Sequence, residues 1–348
     1  IALKYGAYQQ GIRSFPVQEM LPAGSPPVSL NNEAQCIEVM TGAVLPTNCD
    51  TVVRYEDIEF GNDLTGERTA TITESVESGS HVHKRGTDRT SGETIVEKGI
   101  LLGPAEIGVL ATVGFSSVQV LAWPEIAVVS SGDELVNVDE MPAPHQIRQS
   151  NSHSIVAALG DSGLKGRRFH LRDDKDEIIK GLQAILDKHR VVILSGGVSK
   201  GKKDYIPEAL KTAGIVEVFH RVTQRPGKPF WFGRSEQGHF VFALPGNPVS
   251  TFMNFYRFIK PWLFRSAGIE PEKISAILSE DFEFQHDLTY FLQVKTRYEA
   301  GRLLADPRTG HGSGDLANLV EADGFIELPA EKSNFHAGER FNYYPFRQ

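Results

Sequence analysis

The residues best suited to chemistry in this sequence lie in short glycine-containing segments that directly follow runs of apolar residues. In residues 191–210, four apolar residues precede Ser195, Gly196 and Gly197, and Asp204 follows in a lysine-rich stretch. Glycines let the backbone approach a bound group closely, and free N–H groups at a helix start attract anions. A carboxylate in the same loop could hold a divalent metal. Taken alone, this stretch is equally compatible with an ordinary strand-to-helix turn in which Asp204 only caps the helix.

Two further segments have the same form. Residues 131–134 follow an apolar run and contain Glu134, and residues 245–250 interrupt another apolar run with two prolines. Arg225 and Lys228 lie before the second of these, in a short Pro-Gly turn that either forms a solvated basic loop or fixes two cations in place. Cations, helix starts and carboxylates together would suit a phosphorylated ligand with a divalent metal.

The order of the elements explains how these segments could meet. Apolar runs alternate with helical patterns from residue 123 to residue 267, which predicts an α/β domain with a mainly parallel sheet. A helix with one apolar face is predicted from Lys175 to Lys188, and Asn151 or Ser152 is predicted to cap another. Because ligands of doubly wound sheets bind at the carboxyl ends of the strands, the three loops are expected to converge on one site.

The rest of the chain is strand-like. We predict an α/β multidomain protein whose central doubly wound, mainly parallel α/β domain is flanked by a β-rich N-terminal module and a small C-terminal β-barrel-like module. The predicted boundaries are residues 1–84 for the N-terminal module, 85–122 for a connecting helical segment, 123–267 for the α/β domain and 268–348 for the C-terminal module.

Composition excludes several classes of protein. The 348 residues are 40% hydrophobic and 23% charged, which is typical of a globular protein and argues against disorder. A net charge of -8 with mixed signs argues against nucleic-acid binding, and no apolar run is long enough to cross a membrane. Only two cysteines occur, without CxxC spacing, so the cytoplasm is the expected compartment. The chain begins at Ile1, so we expect a preceding segment.

The motifs SSGDEL, IRQSNS, SGGVSKGKKDY, RPGKPFWFG and LPGNPVS follow one another in this order. With the MTGA turn, the RGTD loop, PAEIGVLATVG and a terminal GSG, they make the chain resemble the molybdopterin molybdenumtransferase family, which includes the E domain of gephyrin. Each motif alone is weak, and the resemblance rests on their order over essentially the whole chain.

The resemblance implies insertion of molybdate into adenylylated molybdopterin with release of AMP, in which Mg²⁺ takes part. It implies a homodimer, with a molybdopterin adenylyltransferase and molybdoenzymes as further partners. By the same resemblance, the expected catalytic residues are Thr41, Asp88, Glu134, Asp204 and Lys228, and the expected metal ligands are Glu134 and Asp204. The residues expected to bind the cofactor or the oxyanion are Ser131, Gly132, Gly196, Gly197, Ser199, Arg225, Pro245, Gly246, Asn247, Ser250 and Ser313.

Several positions depart from the family pattern. Arg225 replaces a usual lysine, Lys202 stands where an acidic residue is common, and Leu292 aligns with an expected arginine. The family's Met-Asp-Gly turn would precede Ile1. Arg297 is five strand positions from Leu292 and is expected to point to the opposite face. These departures leave open a partly degenerate protein that acts as a molybdopterin-binding protein or scaffold. A molybdopterin adenylyltransferase is a further alternative, although that family usually has a GGTG loop and lacks the β modules.

Overall fold

The computed structural model describes residues 1–197 and 205–347. The chain forms two compact units, Ile1–Ile95 and Val96–Gln348. No helix in the described part of the chain is long and apolar enough to cross a membrane.

The first unit is built around a six-stranded sheet in the order β4-β1-β3-β2-β6-β5. Its strands are β1 (Ala2–Leu3), β2 (Ser14–Leu21), β3 (Cys36–Val39), β4 (Thr51–Val52), β5 (Ile58–Asn62) and β6 (Arg68–Ile72), with helix α1 (Tyr5–Gln9) and a 3₁₀ turn (Tyr55–Asp57) between them. Phe15 of β2 lies opposite Ala70 of β6, and both are fully buried. The predicted β-rich module is therefore present.

The second unit begins with helix α2 (Pro104–Thr112), where Pro104 occupies the first turn as predicted. Its main sheet has the order β10-β7-β11-β15-β14-β12. The first four strands run parallel, and the last two are antiparallel additions at the edge. The strands are β7 (Ile126–Ser131), β10 (Gly166–Leu171), β11 (Val191–Ser195), β12 (Val216–His220), β14 (Trp231–Arg234) and β15 (Phe240–Leu244), and a small parallel pair is formed by β8 (Leu135–Val136) and β9 (Ile147–Arg148).

Helices cover both faces of this sheet, as the sequence predicts. They are α3 (Asn151–Asp161), α4 (Lys175–Leu186), α5 (Ile206–Thr212), α6 (Pro248–Asn254) and α7 (Lys260–Ser266), with a π-helical turn (Phe255–Ile259) that joins the last two. Alternate residues of β11 enter different cores: Val192 and Leu194 pack with α4 and α5, and Val191 and Ile193 pack with α3 and α7. Burial on both faces explains the continuous apolar run of this strand.

The C-terminal module is a closed barrel of five strands. These are β16 (Ile274–Leu278), β18 (Thr289–Glu299), β19 (Arg302–Pro307), β20 (Gly324–Leu328) and β22 (Arg340–Pro345), followed around the barrel in the order β18-β19-β16-β22-β20. The long strand β18 closes the barrel, because one part of it pairs with β20 and the other with β19. A short pair, β17 (Phe282–Glu283) and β21 (Asn334–Phe335), and helix α8 (Asn318–Glu321) complete the module.

One short strand connects the α/β domain to the barrel. Strand β13 (Gln224–Arg225) comes from the α/β domain but pairs in parallel with the start of β18, where Arg225 lies opposite Tyr290. The predicted Pro-Gly turn therefore begins as an edge strand of the barrel sheet. This pairing places Arg225 at the junction of the two modules.

Candidate functional site

The loop after β7 holds the first predicted carboxylate. Gly132 has a φ of 144°, and a Cβ atom there would lie 2.5 Å from Oε2 of Glu134. Only glycine therefore allows the Glu134 carboxylate to lie over this part of the backbone. Asp133 and Glu134 are both exposed, whereas Ser131 is buried at the end of the strand.

A third carboxylate, which the sequence analysis did not identify, supports this loop. The Ser131 hydroxyl donates to Oδ1 of Asp173 at 3.1 Å, and the Asp173 N–H donates to Oδ1 of Asp133 at 3.2 Å. Asp173 is brought there because Leu171, two residues earlier, lies beside Ser131 in the parallel ladder. A polar residue just beyond the end of a parallel strand was the available sequence signal.

The loop after β11 is held by Asn151. Its side-chain amide donates to Oγ of Ser195 and to the Gly246 carbonyl, each at 2.8 Å. The prediction that Asn151 or Ser152 caps α3 is wrong, since Ser150 occupies the cap position and makes no side-chain capping bond. The Asn151 amide instead joins the loops after β11 and β15 by hydrogen bonds.

The loops after β7 and β11 also touch. Gly196 has a φ of 98°, and a Cβ atom there would lie 2.6 Å from the Ser131 carbonyl oxygen. Three predicted loops therefore meet at the carboxyl edge of the sheet, as the alternation of strands and helices led us to expect. Gly197 follows with a φ of 68°. Ser199 and Asp204, together with Lys202, lie outside the described residues.

The turn that carries Arg225 and Lys228 is held in place by hydrogen bonds from buried side chains. Gly227 has a φ of 85°, and its carbonyl accepts hydrogen bonds from Gln224 at 3.4 Å and from Asn254 at 3.3 Å. Gln224 also donates to Oδ1 of Asn254 at 2.8 Å, and both side chains are buried. Arg225 and Lys228 themselves are exposed. A buried amide pair thus anchors the backbone while both cations remain accessible to a ligand.

A loop of the barrel reaches the α/β domain beside Pro245 and Gly246. Asn247 donates from Nδ2 to Oγ of Ser313 at 2.9 Å, and the Val249 N–H donates to the Ser313 carbonyl at 3.1 Å. Ser250, in the first turn of α6, is buried and only 3% exposed. The structure therefore brings together Asn247 of the α/β domain and Ser313 of the barrel module, two predicted residues that are 66 positions apart in sequence.

Leu292, which aligns with an arginine expected in the family, belongs to the barrel core. Leu292 is fully buried among apolar side chains, with Val294 and Ile326. The next residue, Gln293, accepts a hydrogen bond at 3.1 Å from Asn318, close to the loop that holds Ser313. Arg297 is exposed and pairs with Asp306, as expected for a residue outside the core. An apolar residue at position 292 is thus explained by packing.

Two predicted residues lie in the first unit. Thr41 is exposed in a turn closed by a 2.9 Å bond from the Ala43 N–H to the Met40 carbonyl, and Gly42 has the positive φ that such turns need. Asp88 is also exposed and lies 3.1 Å from Nε2 of His83. Each therefore lies on the surface of this unit.

Carboxylate oxygens are the ligands that Mg²⁺ prefers, and Asp133, Glu134 and Asp173 supply them at the carboxyl edge. Within residues 1–197 and 205–347, no group of three or more acidic, histidine or cysteine side chains is arranged to hold a metal ion. The donor types fit Mg²⁺, but among the described residues they do not form a closed site.

Three family models match consecutive parts of the chain. Residues 1–114 match the MoeA N-terminal region (domain I and II), residues 127–265 match a probable molybdopterin binding domain, and residues 275–346 match the MoeA C-terminal region (domain IV). The last two ranges correspond to the α/β domain and the barrel seen in the structure.

Relatives and solved structures agree with these matches. The chain is 36% identical to a molybdopterin molybdenumtransferase of Synechocystis over 99% of its length and 86% of the relative's. It is 32% identical to one of Staphylococcus aureus over 96% of its length and 79% of the relative's. A molybdopterin biosynthesis MoeA protein from Pyrococcus horikoshii is similar in structure, with a TM-score of 0.81 and 29% identity over 100% of this chain and 86% of that one. The chain therefore belongs to the molybdopterin molybdenumtransferase family and acts in molybdenum cofactor biosynthesis.

Proposed function

We propose that the protein inserts molybdate into adenylylated molybdopterin and releases AMP, with Mg²⁺ taking part. The single observation that carries the proposal is the meeting of the loops through Asn151, Asn247 and Ser313. An extended substrate with a pterin, a phosphoanhydride and a nucleotide needs a continuous edge of this kind. Three loops and a barrel segment at one edge can contact such a substrate along its length.

The oxyanion end is assigned to Arg225, Lys228 and Ser313, with Asn247, which is hydrogen-bonded to Ser313. A tetrahedral dianion such as molybdate is recognised by fixed cations and hydroxyl donors. Both cations are exposed, and the turn between them is anchored by buried side chains, so they are available without rearrangement of the backbone. Ser250 is assigned a supporting role in the first turn of α6, because it is buried.

The metal end is assigned to Glu134 and Asp204. When bound, Mg²⁺ neutralises charge on the phosphoanhydride that is cleaved. The chain itself positions the carboxylates. Because Gly132 has no side chain, the Glu134 carboxylate can lie close to its backbone, and Asp173 accepts a hydrogen bond that holds the Ser131 hydroxyl. Thr41 and Asp88, both exposed on the first unit, are assigned catalytic roles because the family resemblance implies them.

We propose a homodimer that uses the segment around α2. Helix α2 buries no residue of its own, and large apolar side chains are exposed along and beyond it. These residues are Ile100, Leu101, Ile107, Val113, Phe115, Val120 and Leu121. Exposed apolar residues concentrated in one segment mark an interaction surface.

A molybdopterin adenylyltransferase would supply the substrate in the cytoplasm, and molybdoenzymes would receive the product.

The test is a single-turnover assay of the purified protein with adenylylated molybdopterin and Mg²⁺, in which AMP release is followed with and without molybdate. We expect AMP release that depends on molybdate. Replacing Lys228 with alanine should slow release about 10- to 100-fold, because a hydrogen bond to a charged group contributes about 1.5–3 kcal/mol. Lys188→Ala, an exposed lysine at the end of α4, is the matched control and should behave like the wild type. Binding of the pterin without AMP release under any condition would contradict the proposal and favour the scaffold alternative.

A further inference from the structure

A cavity of about 560 Å³ lies between the α/β domain and the barrel, apart from the edge described above. One wall comes from the last helical turns of the α/β domain and includes Tyr256, Lys260 and Phe264. The opposite wall comes from the barrel and includes Ile274 of β16 and Tyr344 of β22. We name this cavity the junction pocket. Its size is that of pockets that hold small organic ligands.

The helical run of residues 248–266 connects this pocket to the candidate site. It starts next to Asn247, and Lys260 lies 12 residues after Pro248, which corresponds to about 18 Å along a helix. The π-helical turn within the run contains Arg257. Such turns are rare and frequently occur at functional positions. The junction pocket is therefore separate from the candidate site, although the same helical run borders both.

Lys260 is not paired with either carboxylate that lines the pocket, since Glu270 pairs with Arg265 and Glu272 is exposed. Among the described residues it forms no ion pair, and its nearest interaction is with the Tyr256 ring, 5.3 Å from the ammonium to the ring centre. Burial lowers the pKa of Lys260 below its ordinary value, and the charge of Asp161 opposes that shift only partly. A half-buried cation without an acidic partner is costly, and a bound anion would offset that cost.

Two other cations of the pocket are already paired, and a third, Lys273, is exposed. Arg265 is held by Glu270 at 2.8–3.2 Å. Arg257 donates from Nη2 to Oε1 of Glu327 at 3.3 Å, although its buried Nε has no partner among the described residues. Lys260 is therefore the partly buried cation of the pocket that has no ion pair among the described residues, and an anion would bind around it.

The walls beside Lys260 are aromatic. Tyr256, Phe264, Tyr343 and Tyr344 line the pocket. The Tyr344 hydroxyl donates to Oε2 of Glu327 at 2.6 Å, and the Arg257 guanidinium lies 4.9 Å from the centre of its ring. That hydroxyl is therefore committed to Glu327. Aromatic walls favour a planar apolar ligand, since stacked and edge contacts add to the area that is buried.

We propose that the junction pocket binds a small aromatic anion, a planar ring system that carries a carboxylate or a similar acidic group directed to Lys260. A ligand there contacts the α/β domain and the barrel together, so it holds in place the barrel whose loop presents Ser313. The pocket is a second, regulatory site. This inference stands on the cavity and its charges and does not rest on the proposed reaction.

The test is calorimetric titration of the purified protein with 2-naphthoate as the anionic probe and 2-naphthamide as its neutral counterpart. We expect saturable binding of one naphthoate per chain and much weaker binding of the amide. Lys260→Gln should weaken naphthoate binding about 10-fold, which corresponds to about 1.4 kcal/mol. Lys188→Gln, which changes an exposed lysine outside the pocket, should leave the affinity unchanged.

A second variant keeps the test valid if Lys260→Gln folds poorly. Ile274→Trp places a large side chain in the cavity and should abolish naphthoate binding while the fold, followed by circular dichroism, is retained. Equal affinity for naphthoate in the wild type and in both pocket variants would overturn the proposal. Equal affinity for the acid and the amide would overturn the assignment of an anion, and absence of saturable binding would overturn the site itself.

Discussion

Replacing Asn151 with alanine tests whether one side chain holds the loops of the candidate site together. The change removes two hydrogen bonds of 2.8 Å, to Oγ of Ser195 and to the Gly246 carbonyl. Each bond contributes about 0.5–1.5 kcal/mol, so the loss should be about 1–3 kcal/mol. For a domain of this size, a loss of about 2 kcal/mol lowers the melting temperature by about 4–8 °C.

The effect on activity should be larger than a general loss of stability explains. Since Asn151 joins the loop after β11 to the loop after β15, its removal should displace Gly246 relative to Ser195 and so misplace the substrate. We expect AMP release to fall about 10-fold at a temperature where the variant is fully folded, which corresponds to about 1.4 kcal/mol in the barrier. The measurements are thermal unfolding followed by circular dichroism and single-turnover AMP release.

Gln183→Ala is the matched control. Gln183 also donates a hydrogen bond, to Asp187 at 2.9 Å, but both residues are exposed and lie at the last turn of α4, outside the three loops. It should change stability by about 0.5 kcal/mol or less and leave AMP release unaltered. If Asn151→Ala melts and reacts like this control, the bridge does not position the loops, and the account of the site is refuted.

Three further changes test other parts of the account. Ser313→Ala should raise the KM for molybdate several-fold with little loss of stability, and an unaltered KM in steady-state kinetics would remove Ser313 from the oxyanion end. Leu292→Arg should unfold the barrel, at a cost of more than about 4 kcal/mol for a charge in an apolar core, whereas Tyr298→Arg, at a position of β18 that is 78% exposed, should be far milder. Equal melting temperatures would contradict the assignment of Leu292 to the barrel core. The Lys332 ammonium, and then the His336 N–H, hold the pKa of Glu339 below its ordinary value. Its stabilising contribution is therefore complete above the unfolded pKa and lost as the pH falls through the folded one. The protection factors of the amide hydrogens in the β21–β22 turn, which are corrected for the intrinsic exchange rate, should therefore fall below about pH 4, and less so in Glu339→Gln.

Strands that are buried on both faces could be predicted well from sequence. The runs that form β7 and β11 are continuously apolar because helices cover both sides of the sheet, and the observed strands agree with them. Helix α4 was equally clear, since its apolar residues recur on one face and Asp174 caps it by accepting from the Glu177 N–H at 2.9 Å. Local signals were sufficient in these cases.

Strand β13 could not be predicted in the same way. It has only two residues, and its partner β18 begins more than 60 positions later. No periodicity exists in two residues, so neither the strand nor the link between the modules had a local signal. Strand β18 is long enough to show a period, but four successive residues, 291–294, are buried, so alternation did not show which of them face the barrel core.

The candidate site was predictable at the level of loops but not of contacts. Glycines after apolar strands identified the loops around Gly132 and Gly196, because their backbone conformations need glycine. The roles of Asn151 and Asp173 depend on partners far away in sequence, and the only local signal was the position of Asp173 just beyond a strand end. The local sequence predicted that Asn151 caps a helix, but its side chain instead forms hydrogen bonds with residues far away in sequence.

The most direct test of the account is to locate molybdate in crystals of the protein by anomalous diffraction at the molybdenum edge. The account predicts a single strong peak within bonding distance of Lys228 and Arg225 and beside the Ser313 hydroxyl, and predicts that this peak is lost in Lys228→Ala. An ordered peak elsewhere, or one that persists unchanged in that variant, would contradict the assignment of the oxyanion end.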